Sequence, residues 1–392
     1  MQTSVTRSGF SFSLLVSGFV AVLIGYSSSA AIIFQAARAA GASPLQIGGW
    51  LTVLSIAMGI TSLGLSLRYR MPILTAWSTP GAALLATSLH GLSLNEAIGV
   101  FIFANALIVI SGLTGLFARL MNHIPQAIAA AMLAGILLRF GLEAFSALQN
   151  QFVLGGSMCL AYLLCRCGLP RYAILVTLLT GLLIALWQEM IAFPAQQVTF
   201  TLPQPVMPHF TVATLIGIGL PYFLVTMASQ NAPGIVTLQA HGYRPPVSAL
   251  MSWTGVTALL LSPFGGFSVC VAAITAAICM NDEVHPDPQR RWLAAALAGM
   301  FYLLAGLCGA LIGTLLSALP LALIQTLAGL ALLAPLGSSL QSALTHPDQR
   351  DAALIAFLIT ASGVTLLGIG AAFWGLAGGM LTHLLLSRRS VA

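Results

Sequence analysis

Apolar stretches, each long enough to cross a hydrocarbon core as a helix of about 20 residues, follow one another from residue 12 to residue 387. Only short polar gaps separate them. The chain has 6% charged residues, against about 25% for a soluble globular protein. That is too little to cover a water-facing surface, so lipid must solvate the apolar faces. In lipid each backbone polar group has to be satisfied internally. The expectation is an all-α polytopic membrane protein of about fourteen segments. They run approximately over 12–37, 46–67, 72–89, 94–118, 124–148, 150–165, 172–188, 210–240, 245–262, 264–280, 292–318, 320–344, 351–369 and 371–387. The first is read as a retained helix rather than a cleaved signal.

Charge placement orients the chain. There is no lysine, and the 14 basic residues are all arginine. With both termini cytoplasmic, 12 of those 14 fall on cytoplasmic gaps or ends, the exceptions being Arg38 and Arg139. That alternation is the positive-inside pattern, so the formal charge of +6 reports membrane topology and not nucleic-acid binding.

The longest polar insert, Gln188 to His209, divides the chain into halves of seven segments. An odd number per half inverts the second half, the signature of an inverted repeat. Segments five and twelve share Ile124-Pro125 and Leu319-Pro320, then Ala127-Ile128 and Ala322-Leu323, then Leu133-Ala134-Gly135 and Leu327-Ala328-Gly329. Segments one and eight share Ile32-Ile33-Phe34-Gln35-Ala36 and Val236-Thr237-Leu238-Gln239-Ala240.

Segments three and ten are interrupted. Met71-Pro72-Ile73-Leu74-Thr75-Ala76-Trp77-Ser78-Thr79-Pro80-Gly81 precedes an Ala/Leu-rich run. Pro80 suits a first helical turn, with Ser78 or Thr79 as its cap. Ser262-Pro263-Phe264-Gly265-Gly266-Phe267-Ser268-Val269-Cys270-Val271 precedes a second helical run. Broken segments at matched positions of two repeats point to a transporter's binding site. Half-helices starting in mid-membrane present free N–H groups and partial positive charge, an anion site that needs no buried Lys or Arg. The alternative is that Pro and Gly only kink these spans.

Other polar groups lie mid-span. Tyr26-Ser27-Ser28-Ser29 either bonds across helices or lines the cavity. Gln230 and Asn231, within Ser229-Gln230-Asn231-Ala232-Pro233-Gly234, are costly to bury without partners and are candidates to face substrate. Arg139 and Glu143 are spaced to pair on one helix face; intramembrane charges are functional candidates, unless this end of the segment reaches water. His90 and Glu96 are read as a solvated loop, and Asp282 to Arg291 as a solvated linker. The six cysteines lack CxxC spacing, no metal-ligand cluster is spaced for binding, and no P-loop is present. No cofactor, metal site or enzymatic residue set is expected.

Several of these motifs resemble the BenE benzoate:proton symporter family. They are Ser229-Gln230-Asn231-Ala232-Pro233-Gly234-Ile235 with Gly242-Tyr243-Arg244-Pro245-Pro246, Ser78-Thr79-Pro80-Gly81-Ala82, Pro263-Phe264-Gly265-Gly266, and Ala272 to Ile278 followed by His285-Pro286-Asp287-Pro288 and Arg290-Arg291-Trp292. The resemblance spans essentially the whole chain. It implies kinship with SulP anion transporters and nucleobase:cation symporters, whose seven-plus-seven fold divides into core and gate. Here the core would comprise 1–120 and 208–318, and the gate 121–190 and 319–392. It further implies a substrate between segments three and ten, an elevator-like slide, and frequent homodimers. Nucleobase carriers keep acidic residues in segments eight and ten; this chain has Gln230 and Asn231 in the one and no acid in the other, which suits an anion.

The resulting expectation is import of a benzoate-like aromatic carboxylate with a proton across the inner membrane. The carboxylate would bind near Thr79-Pro80-Gly81 and Phe267-Ser268-Val269, with Gln230, Asn231 and Ser28 nearby and Trp77 or Phe267 as apolar wall. The proton would ride on the substrate or use Glu143. An inorganic-anion carrier and an anion channel are the alternatives.

Overall fold

The apolar stretches fold as helices in the computed structural model, which describes residues 12–115, 125–191, 203–282, 284–366 and 369–387. Arg7, Arg119, Ile124, Arg388, Arg389 and part of the insert after Gln188 lie outside the described residues. In chain order the elements are α1 (Phe12–Ala39), α2 (Pro44–Tyr69), β1 (Thr75–Ala76), α3 (Thr79–Ser88), α4 (Leu94–Thr114), α5 (Gln126–Asn150), α6 (Phe152–Gly168) and α7 (Ala173–Trp187). The second half contains α8 (Val212–Ala240), then α9 (Val247–Leu261), β2 (Cys270–Val271), α10 (Ile274–Ile278), α11 (Trp292–Leu307), α12 (Gly309–Ala318), α13 (Leu321–Leu344), α14 (Arg350–Ser362) and α15 (Ala371–Ser387).

Local chemistry sets the helix ends. Ser43 caps α2 and Ser93 caps α4, each in a reciprocal capping box, with Gln46 and Glu96 as the returning partners. Glu96 is therefore a cap of α4 and not merely a solvated loop residue. Gly363, at φ 67°, ends α14 after Ser362, so the expected segment 351–369 is helical only in its first two-thirds. Among the described residues, seven helices are long and apolar enough to cross a membrane, or eight if α11 and α12, bent by 63°, form one span. Shorter apolar helices, α6, α7 and α15, accompany them.

Packing sorts these elements into two bodies. In the first, α2 lies along α11 and α12, α4 along α9, and α1 along α11 and α3. In the second, α5 lies along α13 and α14, α6 along α7, and α14 along α15. Exchange of the first seven expected segments for the last seven nearly preserves this arrangement. The α2–α11 contact maps onto α9–α4, α6–α7 onto α14–α15, α1–α7 onto α8–α15, and α5–α13 onto itself. The proline match behaves the same way: Pro125 and Pro320 immediately precede α5 and α13 with φ of −56° and −57°. The Leu-Ala-Gly match does not. Gly135 lies against Phe357 and Thr360 of α14, whereas Gly329 lies against Phe140 and Ala144 of α5, because it stands one residue nearer its proline.

Candidate functional site

At the centre of the first body the two interrupted segments cross. β1 and β2 pair antiparallel, Thr75 with Val271 and Ala76 with Cys270, and the Ala272 amide extends the ladder to the Leu74 carbonyl at 2.9 Å. Four paired residues would be marginal alone. They persist because side chains from neighbouring helices satisfy backbone groups that the short ladder leaves unpaired, as burial in an apolar medium demands. The Thr75 amide donates to Ser62 Oγ at 2.9 Å and the Trp77 amide to Met58 Sδ at 3.1 Å. Ser66 Oγ donates to the Ile73 carbonyl at 3.0 Å. On the other strand, Tyr222 Oη and Asn105 Nδ2 donate to the Phe267 carbonyl at 2.8 and 3.1 Å. The Val271 amide donates to Asn231 Oδ1 at 3.0 Å.

The strand leads directly into α3. Ser78 is its N-cap, with Oγ accepting the Gly81 amide at 3.0 Å. The Ser78 amide itself donates to Ser268 Oγ at 2.8 Å, which ties the two broken segments together across 190 residues of sequence. The Thr79 amide has no acceptor among the described residues. Proline at 80 fills the second helical position, where its missing N–H costs nothing.

Helix α8 meets this crossing through a wide turn. It carries two π turns, Leu215–Gly219 and Met227–Asn231, and each is followed within two residues by a proline, Pro221 and Pro233. A helix-interior proline removes an i→i−4 bond and crowds the carbonyl before it; the widened turn absorbs both effects. The second π turn displays Ser229, Gln230 and Asn231 and packs against α3, β2 and α5. Gly234 permits the approach, since a Cβ there would stand 2.4 Å from the Val271 carbonyl oxygen.

The structure separates the expected site residues into scaffold and accessible groups. Phe267, Ser268 and Val269 are fully buried. The Phe267 ring packs among Trp50 and Phe101, with centroids 6.2 and 5.9 Å away, so it walls no cavity. The helical run expected after Val271 starts at Ile274, and Phe267, Ser268 and Val269, where the carboxylate contact was placed, lead into β2 instead of opening a helix. Trp77 is buried too, its indole N–H donating to Ser29 Oγ at 2.6 Å and its ring edge meeting Tyr26 at 5.0 Å. Asn231 is committed to Val271, and Pro80 and Gly81 are buried. Ser28, Thr79 and Gln230 are half-buried. Ser28 back-bonds to the Gly25 carbonyl at 3.1 Å. The Thr79 hydroxyl and the Gln230 amide have no hydrogen-bond partner among the described residues. No ionisable Asp, Glu, His or Arg belongs to α1, β1, α3, α8, β2 or α10 short of Arg38.

Glu143 lies elsewhere, on α5, accepting from Arg139 Nε at 3.1 Å. A cavity of about 710 Å³ adjoins Arg139, between the end of α3, the start of α8, and α5, α14 and α15.

One residue of the expected solvated linker is drawn inward, while Asp282, Asp287 and Arg290 are exposed. Arg291 is buried, and its Nε and Nη1 donate to the carbonyls of His285 at 2.8 Å and Met280 at 2.7 Å, with Asp282 as a third partner. It thereby fixes the chain leaving α10. Arg291→Met is expected to destabilise the protein by about 2–4 kcal/mol, since each hydrogen bond from a charged donor contributes about 1.5–3 kcal/mol. Lysine should rescue little, lacking the planar fork. Thermal unfolding in detergent measures this; an unchanged midpoint for Arg291→Met would remove the latch.

Comparisons with known proteins agree with this architecture. The transmembrane domain of a cyanobacterial bicarbonate transporter, BicA, superposes with a TM-score of 0.60 at 15% identity, over 95% of this chain and 96% of that one. SLC26A9 superposes with a TM-score of 0.61 at 14% identity, over 95% of this chain and 65% of that one. At these identities the likeness is one of fold. In sequence, the chain is 58% identical over 373 residues to the inner membrane protein YdcO of Escherichia coli (strain K12), covering 95% of each. It is 37% identical over 380 residues to the benzoate membrane transport protein of Acinetobacter baylyi (strain ATCC 33305 / BD413 / ADP1), covering 97% of this chain and 96% of that one. The BenE family profile, benzoate membrane transport protein, matches residues 8–385. The chain belongs to the BenE family, and is a multi-pass membrane transporter, not an enzyme.

Proposed function

We propose that the protein imports benzoate or a similar small aromatic carboxylate across the inner membrane, coupled to a proton, by an elevator-like slide of one body against the other. One observation carries the anion reading. Two interrupted segments are laced together at the α3 N-terminus, beside the π turn that carries Gln230, and the elements that meet there carry no Asp, Glu, His or Arg short of Arg38. Such a site favours a carboxylate through backbone dipoles and neutral donors. The aromatic preference follows the Acinetobacter relative's name. In this reading the fourteen segments all cross, seven per inverted half, with both termini cytoplasmic. The mobile core is 1–120 with 208–318, the gate is 121–190 with 319–392, and the protein forms homodimers. The proton travels on a carboxylate, either that of the substrate or that of Glu143, which accepts from Arg139 Nε on α5.

Uptake of labelled benzoate into proteoliposomes tests this. An acidic exterior is expected to raise the initial rate and to drive accumulation above the external concentration, while excess sulfate or bicarbonate leaves uptake unchanged. Insensitivity to the pH gradient would end the proton coupling. Equal competition by sulfate would replace the organic-anion reading with an inorganic one.

A further inference from the structure

The cavity beside Arg139 has a chemistry that the central crossing does not use. It opens where α3 ends, about 12 Å along that helix from Thr79 at 1.5 Å per residue, and it is bounded by both bodies. Helix dipoles there nearly cancel: α3 and α14 present their negative ends, α8 and α15 their positive ends. Side chains therefore set the sign. Hydroxyls of Ser88, Thr360 and Thr365 line the cavity with Arg139 and His90, and no carboxylate lines it among the described residues. Glu143 engages only the Nε of Arg139, and the two terminal guanidinium nitrogens have no acceptor among the described residues.

We propose that this vestibule is a second, outer anion site, in which the free fork of Arg139 captures the substrate carboxylate before it reaches the crossing. A guanidinium fork matches a carboxylate bidentately, and the hydroxyls of Ser88, Thr360 and Thr365, which have no hydrogen-bond partner among the described residues, supply neutral donors around it. Capture raises the local anion concentration at the mouth of the path along α3, and it weakens as salt screens the charge. The site lies across the boundary between the two bodies, so an anion held there is released inward as the bodies move. Glu143 tempers the attraction, which keeps the anion from being trapped. This inference rests on the transport reading above.

The test is the concentration dependence of benzoate uptake by proteoliposomes bearing the wild-type protein, Arg139→Gln or Glu143→Gln. The Arg139–Glu143 pair is exposed, and such pairs add little to stability, so both variants should fold. Arg139→Gln is expected to raise KM about tenfold with Vmax within about twofold, and to abolish the rise of KM with ionic strength seen for wild type. Glu143→Gln should lower KM severalfold. Unchanged KM in Arg139→Gln, or a loss confined to Vmax, would overturn the outer site while leaving the transport reading intact. A wild-type protein that neither transports benzoate nor binds it in titration calorimetry overturns both.

Discussion

Replacing Gly265 by alanine is expected to leave no folded carrier in the membrane. Gly265 turns the chain from α9 into the strand β2 with φ of 91°, a conformation that costs an L residue about 1–2 kcal/mol. Sterics add more. A Cβ at this position would lie 2.0 Å from Trp50 Cδ1 and 2.2 Å from Nε1, inside any tolerable contact, and overpacking typically costs a further 1–3 kcal/mol or more. The indole cannot swing aside cheaply. Trp50 is 3% exposed and meets Phe101 edge-on at 5.3 Å, and the same cluster locks Phe267, whose carbonyl receives Tyr222 and Asn105. Displacement of the turn would thus unlace β2 from β1. Against a total stability of about 5–15 kcal/mol, the combined penalty should remove the monodisperse peak in size-exclusion chromatography of the solubilised variant. A variant that elutes and melts like wild type would show that the turn is not held as described.

The broken segments were legible in sequence because Pro and Gly mark local backbone chemistry, and local chemistry needs no partner. Pro72, Pro80 and Gly265-Gly266 announced the interruptions, and Ser78 announced the cap of α3. What the sequence concealed was the second partner of each bond. The helical run was expected after Val271, but the carboxylate contact was placed at Phe267-Ser268-Val269, which lead into β2 instead of opening a helix. The reason is a ladder whose other strand lies almost 200 residues away, which no local pattern reveals. Asn105 could have been found, since an amide in the middle of an apolar run must have a partner; Tyr222 carried a weaker signal of the same kind. The π turns also had a signal, prolines 221 and 233 inside an otherwise continuous helical pattern. Arg291 had none, because among several charges in a short linker only folding decides which one is drawn inward. Trp77 and Asn231 were marked as substrate-facing candidates, but both are buried, with Trp77 donating to Ser29 and Asn231 accepting from the Val271 amide.

Gln230→Glu should then be the most damaging change that spares the fold. The two side chains have the same shape, Gln230 is half-buried, and it makes no hydrogen bond that the change would break. Only the charge differs. A carboxylate on the second π turn of α8 would face an anionic guest at the start of α3. Like charges about 6 Å apart at an effective dielectric near 20 repel by about 3 kcal/mol, about a hundredfold in affinity. Acid pH should partly restore binding, because protonation as pH falls neutralises the intruding group. Titration calorimetry with benzoate at neutral and acidic pH measures both effects, with Gln230→Leu as a control that removes the amide without adding charge. The leucine variant should lose at most about tenfold, the worth of one neutral hydrogen bond, and show no such restoration. Wild-type affinity in the glutamate variant at neutral pH would place the carboxylate far from α8, and with it the convergence of Thr79 and Gln230 on one guest.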